Sequence, residues 1–442
     1  MRQYSDFHIA DPADFCLRFS GWAGNFPEAC ILNSNNYPNK FPSNDTRFHY
    51  DLVAGTGSLK KSGTQANQLI SLDRFIEGSG DWIFGHLGYN LKDDIEELSS
   101  IHPDYIRFPR LFFFIPERVF IIRGNQLKVG WHKDYDSTGN INDMVREIKN
   151  YQLPGPARIN SGKISAVISK SDYLQAVEKI KEHIRKGDIY EVNFCQEFFS
   201  LTAEIDPLQT WLKLIEESPT PFSCYYRLDD KHLLCASPER FIKKTGSMIL
   251  SQPIKGTSAR GKTSKEDRLA MERLLRDPKE RAENIMITDL VRNDLSKIAC
   301  RGSVKVEDLC RIYPYPRVFQ MQSDISAQLP HNISFSDIIK ATFPMGSMTG
   351  APKIRAMEII EQYEKSSRGL YSGAVGYISP EMDFDFNVVI RSIQYNQAHS
   401  ALSFMVGGAI TSLSMPESEY RECMLKAGAI LKVLGLEQGH SF

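Results

Sequence analysis

The period of the apolar positions changes near residue 160. Up to about residue 134, short apolar runs such as Phe112 to Ile115 and Val119 to Ile122 alternate with turn clusters such as Asn33-Ser34-Asn35-Asn36 and Gly55-Thr56-Gly57. That pattern predicts a mostly β segment with few long helices. The polar, punctuated stretch from Asp134 to Lys163, with Leu153-Pro154-Gly155-Pro156 near its end, reads as a connection and divides 1–160 from 161–442. Beyond it, Leu174, Val177, Ile180 and Ile184 recur at helical spacing, with Asp172 in the first turn and Gly187 as the stop. Further helices are predicted at 265–275, 280–290, 336–342, 353–363 (Pro352 taking the first helical position) and 417–434. Strands are predicted at 189–199, 224–227, 373–378, 386–395 and 401–407, with no internal repeat. Hairpin-like strands interleaved with helices favour an α+β class over a doubly wound sheet.

At 442 residues, 42% hydrophobic and 24% charged, the chain can bury a large core. A net charge of -1 supplies no general field for nucleic acid or an anionic membrane, so an anionic ligand must be held by a few local cations. Eight scattered cysteines without a C-x-x-C pair, and no signal core or membrane-length apolar run, predict neither zinc nor disulfides and a reduced, cytoplasmic setting.

Candidate chemistry begins with Lys255 in Pro253-Ile254-Lys255-Gly256-Thr257. An ammonium in an apolar-to-glycine turn can acquire a depressed pKa and a nucleophilic role, although most lysines are solvated surface groups. Glu239, in Ala236-Ser237-Pro238-Glu239-Arg240-Phe241, follows a turn at a strand end. Partial burial there would keep a proton on its carboxyl, the plain alternative being an ion pair with Arg240. Glu283 lies in the segment Ala282 to Asp294, and Glu419 and Glu422 in Pro416-Glu417-Ser418-Glu419-Tyr420-Arg421-Glu422. Singly, each is more often a surface charge, and Glu422 with Lys426 makes an ordinary i, i+4 pair. Yet Cys423, Ala427, Ile430 and Leu434 form the buried stripe of that helix, leaving Glu419, Glu422 and Lys426 on one neighbouring face. Gly407-Gly408-Ala409 can bring backbone N–H groups close to an anion. Arg391 offers a bidentate fork to a carboxylate, unless Asp383 or Asp385 takes it.

Together and in this order, with Gly350-Ala351-Pro352-Lys353-Ile354-Arg355-Ala356-Met357-Glu358 and Tyr371-Ser372-Gly373-Ala374-Val375-Gly376-Tyr377, these motifs resemble the chorismate-utilising enzymes over roughly the last two-thirds of the chain. The resemblance implies two large, mostly antiparallel sheets packed as a sandwich and ringed by helices, with the active site in the C-terminal portion. A lysine in the P-I-K-G-T setting is similar to the aminodeoxychorismate synthase type, whereas anthranilate synthases typically read P-I-A-G-T. It implies that Glu239 protonates the departing C4 hydroxyl, that Lys255 adds at C2, and that ammonia arriving at C4 expels it. The product would be 4-amino-4-deoxychorismate, on the route to p-aminobenzoate and folate. The same resemblance assigns Mg²⁺ to Glu283 and Glu422, with Glu419 beside them. It assigns substrate contacts to Gly256, Thr257, Tyr371, Arg391, Gly407, Gly408, Ala409 and Lys426. No glutaminase nucleophile segment is present, so ammonia is expected from a separate glutamine amidotransferase subunit in a heterodimer.

The chain departs from its relatives at several of these positions. Gln320 stands where many have histidine, and an amide can hydrogen-bond but not titrate. Glu191 stands where amine-transferring relatives have glutamine and water-adding ones lysine, so no base is in place to activate water; Glu191 could hold ammonium or accept its proton. Ala409 replaces glycine, and Asn33 an acidic residue in a segment where relatives carry a tryptophan site. Two rival readings are an anthranilate synthase large subunit, disfavoured by Lys255, and a non-catalytic chorismate-binding subunit, suggested by these departures.

Overall fold

A computed structural model describes residues 1–36, 50–63, 68–155, 159–315 and 318–436. Among these, the strands form two antiparallel sheets of twelve and ten strands. The first runs from Arg2–His8 at one edge through Glu28–Asn33, Phe222–Leu228, Lys231–Ser237, Ser392–Asn396 and Ala401–Ile410 to Glu191–Ser200. The second runs from Ile254–Ala259 through Val318–Gln328, Met248–Gln252, Arg240–Thr245, Phe384–Asn387 and Ala374–Ile378 to Ile83–Leu87 and Leu111–Ile115. Period-two alternation turns one face of each sheet inward. Between them Val119, Tyr226 and Leu233 of the first sheet meet Phe84, Phe114 and Val375 of the second. Helices cover the other face of the first sheet, where Tyr173, Ile180, Trp211 and Ile430 bury Phe194 and Phe404.

The boundary near residue 160 is not a division of this sandwich. Glu28–Asn33 pairs with Phe222–Leu228, and Ile83–Leu87 pairs with Ala374–Ile378, so both sheets mix strands from both sides of it. Within the stretch read as a connection lies a helix, Thr138–Asn150, capped by Ser137 and burying Ile141, Met144, Val145 and Ile148; Pro156 lies outside the described residues. Pro12–Ala23 is also helical, its Phe15, Phe19 and Trp22 at helical spacing inside an aromatic run.

Later helices follow the sequence closely: Lys170–Lys186, stopped by Gly187 at φ 81, then Ser264–Arg276, Pro278–Ser296, Phe335–Thr342, Lys353–Tyr363 and Pro416–Val433. Pro352 is the residue before the Lys353–Tyr363 helix, not its first: its ψ of 143 is extended.

The predicted strand 386–395 is two strands. Phe384–Asn387 belongs to the second sheet and Ser392–Asn396 to the first, and between them the chain crosses the sandwich, turning at Arg391 with φ 50. A second crossing occurs at Pro238 and Glu239, between Lys231–Ser237 and Arg240–Thr245. The crossings are tied together, Val388 N–H donating to the Glu239 carbonyl at 3.0 Å and Ala236 N–H to the Arg391 carbonyl at 3.1 Å. They put a carboxyl and a guanidinium side by side between the sheets.

Candidate active site

Lys255 lies on the edge strand Ile254–Ala259, whose register with Val318–Gln328 shifts between Ile254 and Thr257. That irregularity is built on Gly256 at φ +95, where a Cβ would also press on Glu280 and Met321. It turns Lys255 inward, where its Nζ donates to Glu191 Oε1 at 2.9 Å. Glu191 is fully buried at the start of Glu191–Ser200, and its Oε2 has no hydrogen-bond partner. Burial alone would lower the lysine's pKa, but the Glu191 carboxylate, with the acidic side chains of Glu283 and Glu239 adding to it, outweighs burial and the pKa is raised. The depressed pKa expected from the sequence is thus reversed: a local turn motif carries no information about three acids brought in from other elements.

Glu239 is 4% exposed. Burial pushes its carboxyl up to about 7, and the neighbouring Ser347 hydroxyl and Lys255 ammonium offset only part of that. The alternative pairing with Arg240 is not formed, because Arg240 forks onto Asp385 at 2.9 and 3.0 Å. Asp383 sits 3.9 Å from Lys244, so neither aspartate takes Arg391. Its guanidinium has no hydrogen-bond or ion-pair partner among the described residues, and burial lowers its pKa. Arg391 and Gln320 line a cleft of about 330 Å³, together with Pro238, Tyr315, Leu425 and Gly428. Gln320, opposite Thr257 in the sheet, is 1% exposed with its Oε1 unpartnered, while Thr257 itself is exposed.

Two of the predicted metal carboxylates, Glu419 and Glu422, meet beside Gly408, from which a Cβ would lie 3.7 Å from each of them and from Lys426. Cations now separate them. Lys279 stands 3.0 Å from Glu419 and 3.7 Å from Glu283, and Lys426 stands 2.8 Å from Glu422 while donating to the Gly407 carbonyl at 3.0 Å. Among the described residues, no three acidic, histidine or cysteine side chains converge as a ready coordination cluster. Glu283 is pushed up to about 8, chiefly by burial, and its Oε1, though 3.7 Å from Lys279, accepts no hydrogen bond; Glu422 is lowered by Lys426. A buried oxygen that accepts no hydrogen bond, beside hard carboxylate donors, suits a cation that needs only one or two protein ligands, as Mg²⁺ does.

Gly407, Gly408 and Ala409 form part of the strand Ala401–Ile410, opposite Cys195, Phe194 and Asn193. Tyr371 is not brought to the cleft; it is 4% exposed in the core, its hydroxyl 3.7 Å from Cys195 Sγ. The structure adds two residues to the neighbourhood. Lys279 precedes Glu283 by one helical turn, a spacing legible in the sequence. Ser347 lies in the short turn Gly346–Met348, which carries no comparable signal.

A family model described as chorismate binding enzyme matches residues 41–432. Aminodeoxychorismate synthase component 1 of Bacillus subtilis is 33% identical over 366 residues, covering 80% of this chain and 77% of that one. The Escherichia coli protein of the same name is 39% identical over 267 residues, 60% of this chain and 58% of its own. Anthranilate synthase component 1 of Aquifex aeolicus is 32% identical over 387 residues, 83% of this chain and 76% of that one. The crystal structure of anthranilate synthase component I from Streptococcus pneumoniae superposes with a TM-score of 0.73 at 23% identity, covering 98% and 92% of the two chains.

Proposed function

The chain belongs to the chorismate-binding enzymes, and from that premise we propose that it is the chorismate-aminating component of an aminodeoxychorismate synthase. The observation that carries this reading is Lys255, a buried amine paired with Glu191 and close to Glu239, whose carboxyl burial raises to about 7. An anthranilate synthase has relatives of comparable identity on its side. Lysine at this position disfavours it.

At rest Lys255 is an ammonium, so it must lose a proton before it can attack, and the Glu191 carboxylate at 2.9 Å is placed to take it. The free amine then bonds to C2 of chorismate, both ring double bonds shift around the ring, and the C4–O bond breaks as Glu239 gives its proton to the leaving oxygen, releasing water. Ammonia adds at C4, both double bonds shift back, and the C2–N bond breaks, returning the Lys255 amine. Glu191 then reprotonates Lys255, and the new C4 ammonium gives a proton to Glu239. Chorismate and ammonia become 4-amino-4-deoxychorismate and water, with the enolpyruvyl group retained.

Arg391, whose guanidinium has no ion-pair or hydrogen-bond partner among the described residues, is suited to a substrate carboxylate, and Gln320 to a substrate hydroxyl. Glu283 and Glu422, with Glu419 adjoining, would hold Mg²⁺, which supplies positive charge for a second substrate carboxylate. Ammonia would come from a glutamine amidotransferase partner. Among the described residues no helix is long and apolar enough to cross a membrane. The test is the dependence of chorismate consumption on ammonium and Mg²⁺ in purified protein. We expect turnover with both and its loss on chelation; turnover indifferent to ammonium would contradict the reading.

A further inference from the structure

The strand that carries Glu191 has an incomplete outer edge. Glu191 and Val192 pair with Ala351 and Gly350, and Phe198 and Phe199 pair with Ala166 and Ser165, but among the described residues no strand lies alongside those between. Buried backbone groups need partners, so each one on this edge must find one elsewhere. Asn193 N–H donates to the Thr349 carbonyl at 2.7 Å, and the Glu197 carbonyl accepts from Val167 N–H at 2.9 Å. Two more are satisfied by side chains. Cys195 N–H donates to Glu364 Oε1 at 2.8 Å, and the Asn193 carbonyl accepts from Arg368 Nη2 at 2.8 Å.

Glu364 and Arg368 are 2% exposed each and joined by two hydrogen bonds, at 2.9 and 2.6 Å. The same guanidinium donates to the Met348 carbonyl at 2.6 Å and to the Ser372 hydroxyl at 3.2 Å. Met348 adjoins Ser347, the hydroxyl beside Glu239. One fork therefore grips both the strand that presents Glu191 to Lys255 and the turn that lies against the acid.

We propose that Glu364 and Arg368 are positioning residues of the reaction centre, a side-chain pair that replaces a missing neighbouring strand and sets the spacing of the Glu191–Lys255 pair from Glu239. Neither residue touches the reacting groups. Their effect is on alignment, where a shift of about 1 Å can cost about a hundredfold in rate. The inference rests on reading Lys255 and Glu239 as the reacting groups.

Two variants test it. Arg368→Lys keeps a cation against Glu364 but cannot bond Glu364, Asn193 and Met348 at once. The double variant Glu364→Gln with Arg368→Met removes both charges together and leaves neither orphaned. For Arg368→Lys we expect a melting temperature within about 5 °C of wild type, kcat lower by at least about tenfold, and chorismate KM within about threefold. The double variant should behave likewise. A kcat within about threefold of wild type, or a rate loss that follows only the folded fraction, would overturn the proposal. Amide hydrogen exchange gives a readout independent of turnover: residues 193–197 should exchange at least about tenfold faster in Arg368→Lys, with distant strands unchanged. Unchanged exchange there overturns the proposal even if the double variant does not fold. A wild-type product other than 4-amino-4-deoxychorismate would contradict the proposed function alone, since the loss of kcat can be read on whichever product forms.

Discussion

Glu239 must carry a proton to act as an acid, and burial keeps one there to about pH 7. The rate should therefore fall as pH rises through 7, where the acid form is lost. Glu239→Gln should lower kcat by about 10² to 10⁴ while chorismate KM changes little, measured by steady-state kinetics. Glu283 offers a stability test. Its folded carboxyl is raised from 4.5 to about 8, so its contribution is fully present below 4.5 and is lost progressively as pH rises to about 8. Without Mg²⁺, Glu283→Gln should be the more stable protein at pH 9, by roughly 1–3 kcal/mol in denaturant melts, and little different at pH 5. The identity of Lys255 as the group to watch was legible from its flanking residues. Its charge was not, because Glu191, Glu239 and Glu283 come from segments spread across the sequence and meet only in the folded chain.

Strand Ala401–Ile410 separates two kinds of glycine. A Cβ on Gly407 would fall 2.3 Å from Cys195 Sγ and 2.5 Å from the Phe194 carbonyl, whereas one on Gly408 would keep 3.7 Å from Glu419, Glu422 and Lys426. Gly407→Ala should cost about 1–3 kcal/mol of stability. Gly408→Ala should melt like wild type yet raise chorismate KM by about tenfold, because its methyl enters the space between the carboxylates. At this scale the sequence was most readable where one period runs unbroken, as in Lys353–Tyr363. It failed at 388–391, where apolar residues continue while the chain changes sheets. Hydrophobicity cannot distinguish a strand from a crossing buried between two sheets.

Across the whole molecule, the first 160 residues supply strands to both sheets, so they act as part of one sandwich. Residues 161–442 expressed alone would leave the partner edges of Phe222–Leu228 and Ala374–Ile378 open and the apolar layer between the sheets half covered. We expect that fragment to aggregate or to melt without a cooperative transition by calorimetry; a cooperative melt would show that the boundary is a real domain limit. The layered architecture was legible only through family resemblance, since alternation identifies strands but not which strands become neighbours. Liquid chromatography with mass detection on purified protein, chorismate, Mg²⁺ and excess ammonium should show an amino-substituted compound that keeps the enolpyruvyl group and is absent with Lys255→Ala. Anthranilate, or the same product from the alanine variant, would contradict the account.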